Sequence, residues 1–157
     1  MTYTVIASNP DTNEIGIAST TITINFGRAF PVTRHLAPEL SSNGIIVAPM
    51  ATVHPQNGHR LCDLRDAGVS WEDMEKELEK HDEHWSWRQI GAVTATGETW
   101  VRTGSNAWDH ASHVVSNGSI AMGNYISESR LSPGMFAAVA AHRSLNRGTK
   151  SMLSKIS

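Results

Sequence analysis

Residues 3–8 and 15–24 are rich in Val, Ile and Thr, the period of the apolar residues becomes helical from Gln56 to Lys80, and strand-like sequence resumes at Arg88. A chain that changes period in this way, from strands to two helices and back to strands, is expected to fold as α+β, with helices gathered beside antiparallel sheets. The strict strand–helix alternation of a doubly wound parallel sheet is not present. The first two strands are rich in Val, Ile and Thr and flank NPDTNE, a run of turn formers, so they are expected to pair as a hairpin with a loop of about five residues. In the second strand Ile15, Ile17, Ser19, Thr21 and Thr23 fall on one face, while Gly16, Ala18 and Thr20 fall on the other, and the small, polar end suits the floor of a site.

Residues 26–44 read as an irregular connection containing Pro31 and Pro38, followed by a buried-type strand at 44–48. DLRDAGVSWEDMEKELEK then predicts two helices joined at Gly68, the left-handed residue that ends the first. Ser70 followed by Asp73 resembles a capping box with Asp in place of Glu. The acidic run from Glu72 to Glu79 is read as a solvated face laced with pairs such as Glu72–Lys76. Strands are expected again at 88–93, returning after Thr96-Gly97 through 98–102, and at 119–122, with a last helix over 135–145.

A length of 157 residues fits one domain spanning 1–157. A formal charge of −2 without a basic cluster excludes a nucleic-acid footprint, because phosphate binding needs concentrated Lys and Arg. The longest apolar runs fall far short of the ~20 residues of a membrane span. With no basic-then-apolar leader at the start and a lone Cys62 that has no disulfide partner, the reading is a cytoplasmic protein with Cys62 packed in a helix. Phosphate-binding loops, dinucleotide fingerprints and nucleophile elbows are missing, so no cofactor is expected. Among eight histidines, His81/His84 and His110/His113 each have spacing three, which on a helix puts both rings on one face. A pair alone supplies too few ligands, and the first sits at a helix end where His complements the dipole, so no metal is expected. Trp85, Trp87, Trp100 and Trp108 are assigned to packing rather than to a ligand platform. His54 follows a buried strand and precedes a Pro-led helix start, where either an orienting role or an ordinary structural one fits. The polar residues Thr2, Ser19, His54, Asn57, Thr103 and Asn124 flank apolar strands where packing alone does not call for them, and are expected to converge on a small-molecule pocket.

The opening Met1 to Pro10, the Gly16-Ile17-Ala18-Ser19 strand, Arg88-Gln89-Ile90-Gly91, Thr103-Gly104, His113 and Gly123-Asn124 follow in an order that resembles an uncharacterised bacterial domain family assigned to the N-terminal-nucleophile (Ntn) hydrolase superfamily. The resemblance runs from Thr2 to about Asn124 and implies a four-layer αββα sandwich with antiparallel sheets. The chain departs from that family's pattern at Pro49-Met50-Ala51, at His54-Pro55-Gln56-Asn57-Gly58 and at Thr20, and its C-terminal part is shortened, with Arg147-Gly148 as a remnant of a late motif. The superfamily mechanism implies Thr2 as nucleophile after removal of Met1, its free α-amino group acting as base. That mechanism implies catalytic roles for Thr2 and Asn124, with Asn57 or backbone amides near Gly123 as further oxyanion donors, and His54 is a catalytic candidate from its place after the buried strand. Ser19, Arg28, Asn57, Arg88 and Thr103 are assigned to substrate, and Arg102 is a further candidate to hold charge. The expected function is a hydrolase of an amide-like C–N bond, and the alternative is a non-catalytic ligand-binding or assembly protein. Short sheet edges and several Trp near the rim suggest a homodimer.

Overall fold

The computed structural model describes residues 1–24, 30–36, 43–108 and 110–127. Arg28 and the helix expected over 135–145 lie outside the described residues. Among the described residues eight strands and two α-helices run in the order β1 (Thr2–Asn9), β2 (Glu14–Thr21), β3 (Val32–Arg34), β4 (Ile45–Met50), α1 (Pro55–Asp66), α2 (Trp71–His81), β5 (Gln89–Thr94), β6 (Thr99–Thr103), β7 (Ser112–Ser116) and β8 (Ser119–Asn124), with a 3-10 turn at Trp85–Trp87.

The strands form two antiparallel sheets, ordered β2-β1-β8-β7 and β3-β4-β5-β6. The mixed α+β reading is therefore correct, and so is the hairpin of β1 and β2, which pair from Thr2↔Thr21 to Asn9↔Glu14. The second strand stops earlier than its apolar pattern suggested. Thr23 turns its amide back onto Thr21 Oγ1 at 3.2 Å, and Ile22 and Ile24 leave the sheet exposed.

One sheet is buried on both faces, and this explains the uninterrupted apolar runs of β4 and β5. Ile45, Val47, Ile90 and Ala92 pack against Leu61, Cys62, Met74 and Leu78 of the two helices. Their alternate neighbours Ile46, Ala48, Met50 and Val93 meet Ile6, Ile120 and Met122 of the other sheet. Gly91 lies at this sheet–sheet contact, where a Cβ would come within 2.4 Å of Ile120 Cδ1 and 2.6 Å of Met122 Sδ, so the missing side chain lets the sheets close.

The helix ends follow their sequence signals. Gly68 is left-handed at φ 76°, with Val69 N–H donating to Leu64 O at 3.0 Å and Gly68 N–H to Arg65 O at 2.8 Å, a Schellman termination. Ser70 Oγ accepts from Asp73 N–H at 3.2 Å, and its hydroxyl donates to Asp73 Oδ2 at 2.8 Å, so Asp73 binds the capping hydroxyl itself. Lys76–Glu72 at 2.8 Å and Lys80–Glu77 at 2.5 Å confirm the solvated face of α2.

Candidate functional site

Register alone brings two of the sequence-derived residues together. Thr2 stands opposite Thr21 on one side and opposite Asn124 of β8 on the other, at the same end of the sheet. Both Thr2 and Asn124 are buried, at 8% and 4% exposure, yet both line an open cavity of about 420 Å³. That volume lies in the range of about 300–1,000 Å³ typical of small-molecule sites. Residues 50–53, following β4, form a second part of the wall, and Met1, Ile22 and Thr23 a third. The exposed residues Trp108 and Tyr125 also line the cavity.

The floor is held by a chain of hydrogen bonds. Thr2 Oγ1 lies 3.0 Å from Thr21 Oγ1, which lies 3.3 Å from Thr23 Oγ1. One step further along the same face, Thr4 Oγ1 meets Ser19 Oγ at 2.8 Å, so Ser19 extends a row of hydroxyls away from the cavity and does not line it. Asn124 Nδ2 donates to Gln89 Oε1 at 3.0 Å, and Gln89 Nε2 in turn reaches Thr103 Oγ1, Ser112 O and Gly123 O at 3.0–3.1 Å. Gln89 is fully buried and ties the second sheet to the first directly beneath Asn124. Thr103 belongs to this support, with its hydroxyl 2.8 Å from His113 Nδ1, and is not in the cavity wall. Desolvation lowers the His113 pKa, although part of the residue stays open to solvent. Gln89→Met removes the partner of Asn124 Nδ2 and of two carbonyls. It is expected to lower the urea unfolding free energy by at least about 1–3 kcal/mol, the cost of one orphaned buried group.

The most irregular backbone in the cavity is at Ala51 and Thr52, consecutive residues with φ of 46° and 56°. Tyr125, also lining the cavity, has φ 57°. Left-handed conformations at non-glycine residues are costly and persist only where surrounding structure imposes them. At Thr52 the backbone is held by a buried ion pair. Arg88 donates to Asp82 through Nε at 2.8 Å and Nη2 at 3.0 Å, and its remaining Nη1 is hydrogen-bonded to the carbonyl of Thr52. Asn57 Nδ2 at 2.6 Å and the His84 N–H at 3.0 Å complete the shell around Asp82. Burial raises the Asp82 pKa, but the donors from Arg88, Asn57 and His84 outweigh it and hold the carboxyl well below the usual carboxylate range. Arg88 and Asn57 thus sit behind the wall, fixing the turn at Thr52, and neither lines the cavity. Among the described residues, no hydrogen bond is donated by the amides of Ala51 or Thr52.

His54 caps α1 by position only: its side chain makes no cap bond, Pro55 takes the first helical position, and its Nδ1 is buried without a partner among the described residues. It adjoins Val53 of the wall but does not line the cavity. Arg102 is engaged elsewhere, with Glu75 at 2.9 Å, the carbonyl of Trp85 at 2.9 Å and the Trp85 ring beneath its guanidinium.

The tryptophans divide into two groups. Trp71 and Trp100 stack at 6.1 Å and Trp85 is buried, as packing residues should be. Trp108 departs from that assignment because it lines the cavity, braced by Trp87 at 5.9 Å and Tyr125 at 4.8 Å. The shared helical face expected for His110 and His113 does not exist, since His110 is left-handed at φ 62° and His113 lies in β7. Among the described residues no three His, Cys, Asp or Glu side chains converge as metal ligands would, and no helix is long and apolar enough to cross a membrane. Cys62 is fully buried and desolvation pushes its thiol up to about 11. Thiolate is then on the order of one part in a thousand at pH 8, and maleimide is expected to label Cys62 only when the protein unfolds.

Comparison with known proteins adds the following. A family model described as a family of unknown function, DUF1028, matches residues 2–153. No curated protein matches the chain. A crystal structure of a Silicibacter pomeroyi protein assigned to the same family model superposes with a TM-score of 0.69 at 23% identity, covering 81% of this chain. This chain spans 56% of the length of that one, and the likeness concerns the fold.

Proposed function

Because the chain belongs to the DUF1028 family, a family of unknown function, we propose its activity from the cavity at Thr2 together with the resemblance of its sequence to N-terminal-nucleophile hydrolases: hydrolysis of an amide-like C–N bond in a small molecule, with Thr2 as nucleophile. The observation that carries this reading is the coincidence of Thr2 with the cavity floor, at the first strand residue after Met1. In keeping with it, the two stacked sheets with helices outside are read as part of a four-layer αββα sandwich of the Ntn type.

The chemistry follows from Thr2 once Met1 is removed. The freed α-amino group, neutral above its pKa of about 7.7–8.0, takes the proton of the Thr2 hydroxyl as Oγ1 attacks the amide carbonyl carbon. The tetrahedral oxyanion is met by the amides of Ala51 and Thr52 and by the second N–H of Asn124 Nδ2, whose first is committed to Gln89. Collapse breaks the C–N bond, the ammonium proton passes to the leaving nitrogen, and an ester on Thr2 remains. Water adds to that ester, giving up a proton to the same amine, and releases the acid.

A second reading rests on Met1 itself. While it is attached, the nitrogen of Thr2 is an amide without a basic lone pair, Met1 O accepts from Ile22 N–H at 3.4 Å, and the Met1 side chain lines the cavity. In that form the protein is a ligand-binding module. Intact-mass measurement followed by a panel of amides and ureides separates the two. Turnover confined to Met1-free protein supports the hydrolase, and no turnover by verified Met1-free protein across the panel supports the binding module.

A further inference from the structure

We propose that the cavity selects uncharged ligands carrying a planar apolar group, which lies against Trp108 and Tyr125 while its amide end reaches Thr2 and Asn124. This rests on the hydrolase reading for the identity of the reacting end, and on the cavity alone for the rest. Trp108 is the organising element. Its ring is flanked by Trp87, edge-on at an interplanar angle of 68°, and by Tyr125, tilted at 40° with centroids 4.8 Å apart. A ring held from two sides loses little freedom when a ligand stacks on it, so the aromatic surface is preorganised. Trp108 and Tyr125 remain 39% and 55% exposed, which leaves ring surface for a ligand to cover.

The remaining wall agrees with this chemistry. Met50 and Val53 are apolar, and the polar side chains of the lining are Thr2, Thr23, Thr52 and Asn124, with the Tyr125 hydroxyl and the Trp108 indole N–H. Among the described residues no Asp, Glu, Lys, Arg or His lines the cavity. Once the terminal α-amino group is neutral, above its pKa of about 7.7–8.0, a carboxylate or ammonium entering the cavity sheds water without meeting an opposite charge from these residues, whereas a neutral amide finds both donors and acceptors. Met1 is a wall residue that processing removes, and its loss leaves the α-amino group of residue 2 at the wall, cationic below about pH 8 and neutral above it.

Benzamide, benzoate and benzamidinium test this directly, because they share one planar shape and carry charges of 0, −1 and +1. Binding is measured by titration calorimetry at about pH 9.5, where the terminal amine is neutral and the three probes keep their charges, on Met1-free Thr2→Ala protein, which keeps the cavity and has no nucleophile to consume the probe. The expected result is that benzamide binds about tenfold or more tightly than either ion, as unpaired burial of charge requires. Trp108→Ala and, separately, Tyr125→Ala are expected to weaken benzamide by about fivefold or more, the loss of a stacking contact. Equal or tighter binding of either ion, benzamide binding indifferent to both aromatic substitutions, or no binding of any of the three at millimolar concentration overturns the proposal. Because the titration needs no turnover, an inactive protein that shows the expected pattern contradicts only the hydrolase reading. An active protein that binds all three probes alike contradicts only the inference.

Discussion

Thr2→Ala in Met1-free protein is expected to abolish turnover of every amide that the wild-type protein hydrolyses, a loss on the order of a thousandfold or more, while the unfolding midpoint barely moves. The two outcomes have different origins. Catalysis loses its only nucleophilic oxygen, and nothing on the cavity floor replaces it, because Thr21 Oγ1 is held by the Thr23 amide and has no α-amine beside it. Stability loses one hydroxyl–hydroxyl contact at the end of a strand, worth about 1 kcal/mol, since the ladder from Thr2 to Asn9 is backbone and survives. Thr2→Ser keeps both hydroxyl and amine, so partial activity is expected. The pH profile has a definite sign: the α-amino group acts as base only when neutral, so kcat/KM rises with pH through about 7–8.

The largest loss of stability is expected from Asp82→Asn, at about 3–5 kcal/mol in urea denaturation, with activity falling as well. Asp82 and Arg88 have side chains only 3% and 8% exposed, so the substitution leaves a guanidinium buried without its counter-ion. The same guanidinium holds the Thr52 carbonyl, and its release frees the left-handed turn at Ala51 and Thr52 to relax out of the cavity wall. Arg88→Met is expected to be similarly destabilising, because it leaves the carboxylate alone. The double variant should recover part of the loss, since two apolar or neutral side chains desolvate cheaply. The pH dependence follows from the depressed folded-state pKa of Asp82. Its contribution is fully present above the unfolded pKa of about 3.9, and is lost progressively as pH falls below that value toward the folded pKa. Wild-type stability should therefore decline on acidification from about pH 4, and Asp82→Asn should flatten that decline.

The sequence carried most of the fold because its signals were local. NPDTNE specified the hairpin, Gly68 and the Ser70–Asp73 pair bounded the helices, and short apolar runs bounded by turn residues located β4, β5, β6 and β8. Two strands left too little pattern to read. β3 is three residues long beside Pro31, and exists by pairing with β4. β7 is an edge strand, SHVVS, whose exposed His and Ser give it a polar sequence, and the preceding WDHASH mimics helical spacing.

The site was legible in part for the same reason. Thr2 and Asn124 could be picked out because each is a polar residue flanking an apolar strand, and the pairing of β1 with β8 sets them side by side. Ala51 and Thr52 could not, since neither residue type signals positive φ, and the Arg88–Thr52 contact that imposes it spans 36 positions. Asp82 in KHDEHW looks like another solvated acid, and only the fold reveals that its carboxylate is buried. Gln89 shows the converse: a polar residue opening an apolar strand is a local clue to a buried amide, but its partners come from three other strands.

Thr2 as the nucleophile in the cavity is tested most directly by acylation with a β-lactone, followed by intact mass and peptide mapping. Met1-free protein is predicted to gain one adduct, an ester on the Thr2 hydroxyl, with Met1-retaining and Thr2→Ala proteins unlabelled under the same conditions. Equal labelling of Met1-retaining protein, or an adduct elsewhere with Thr2 unmodified, would contradict it.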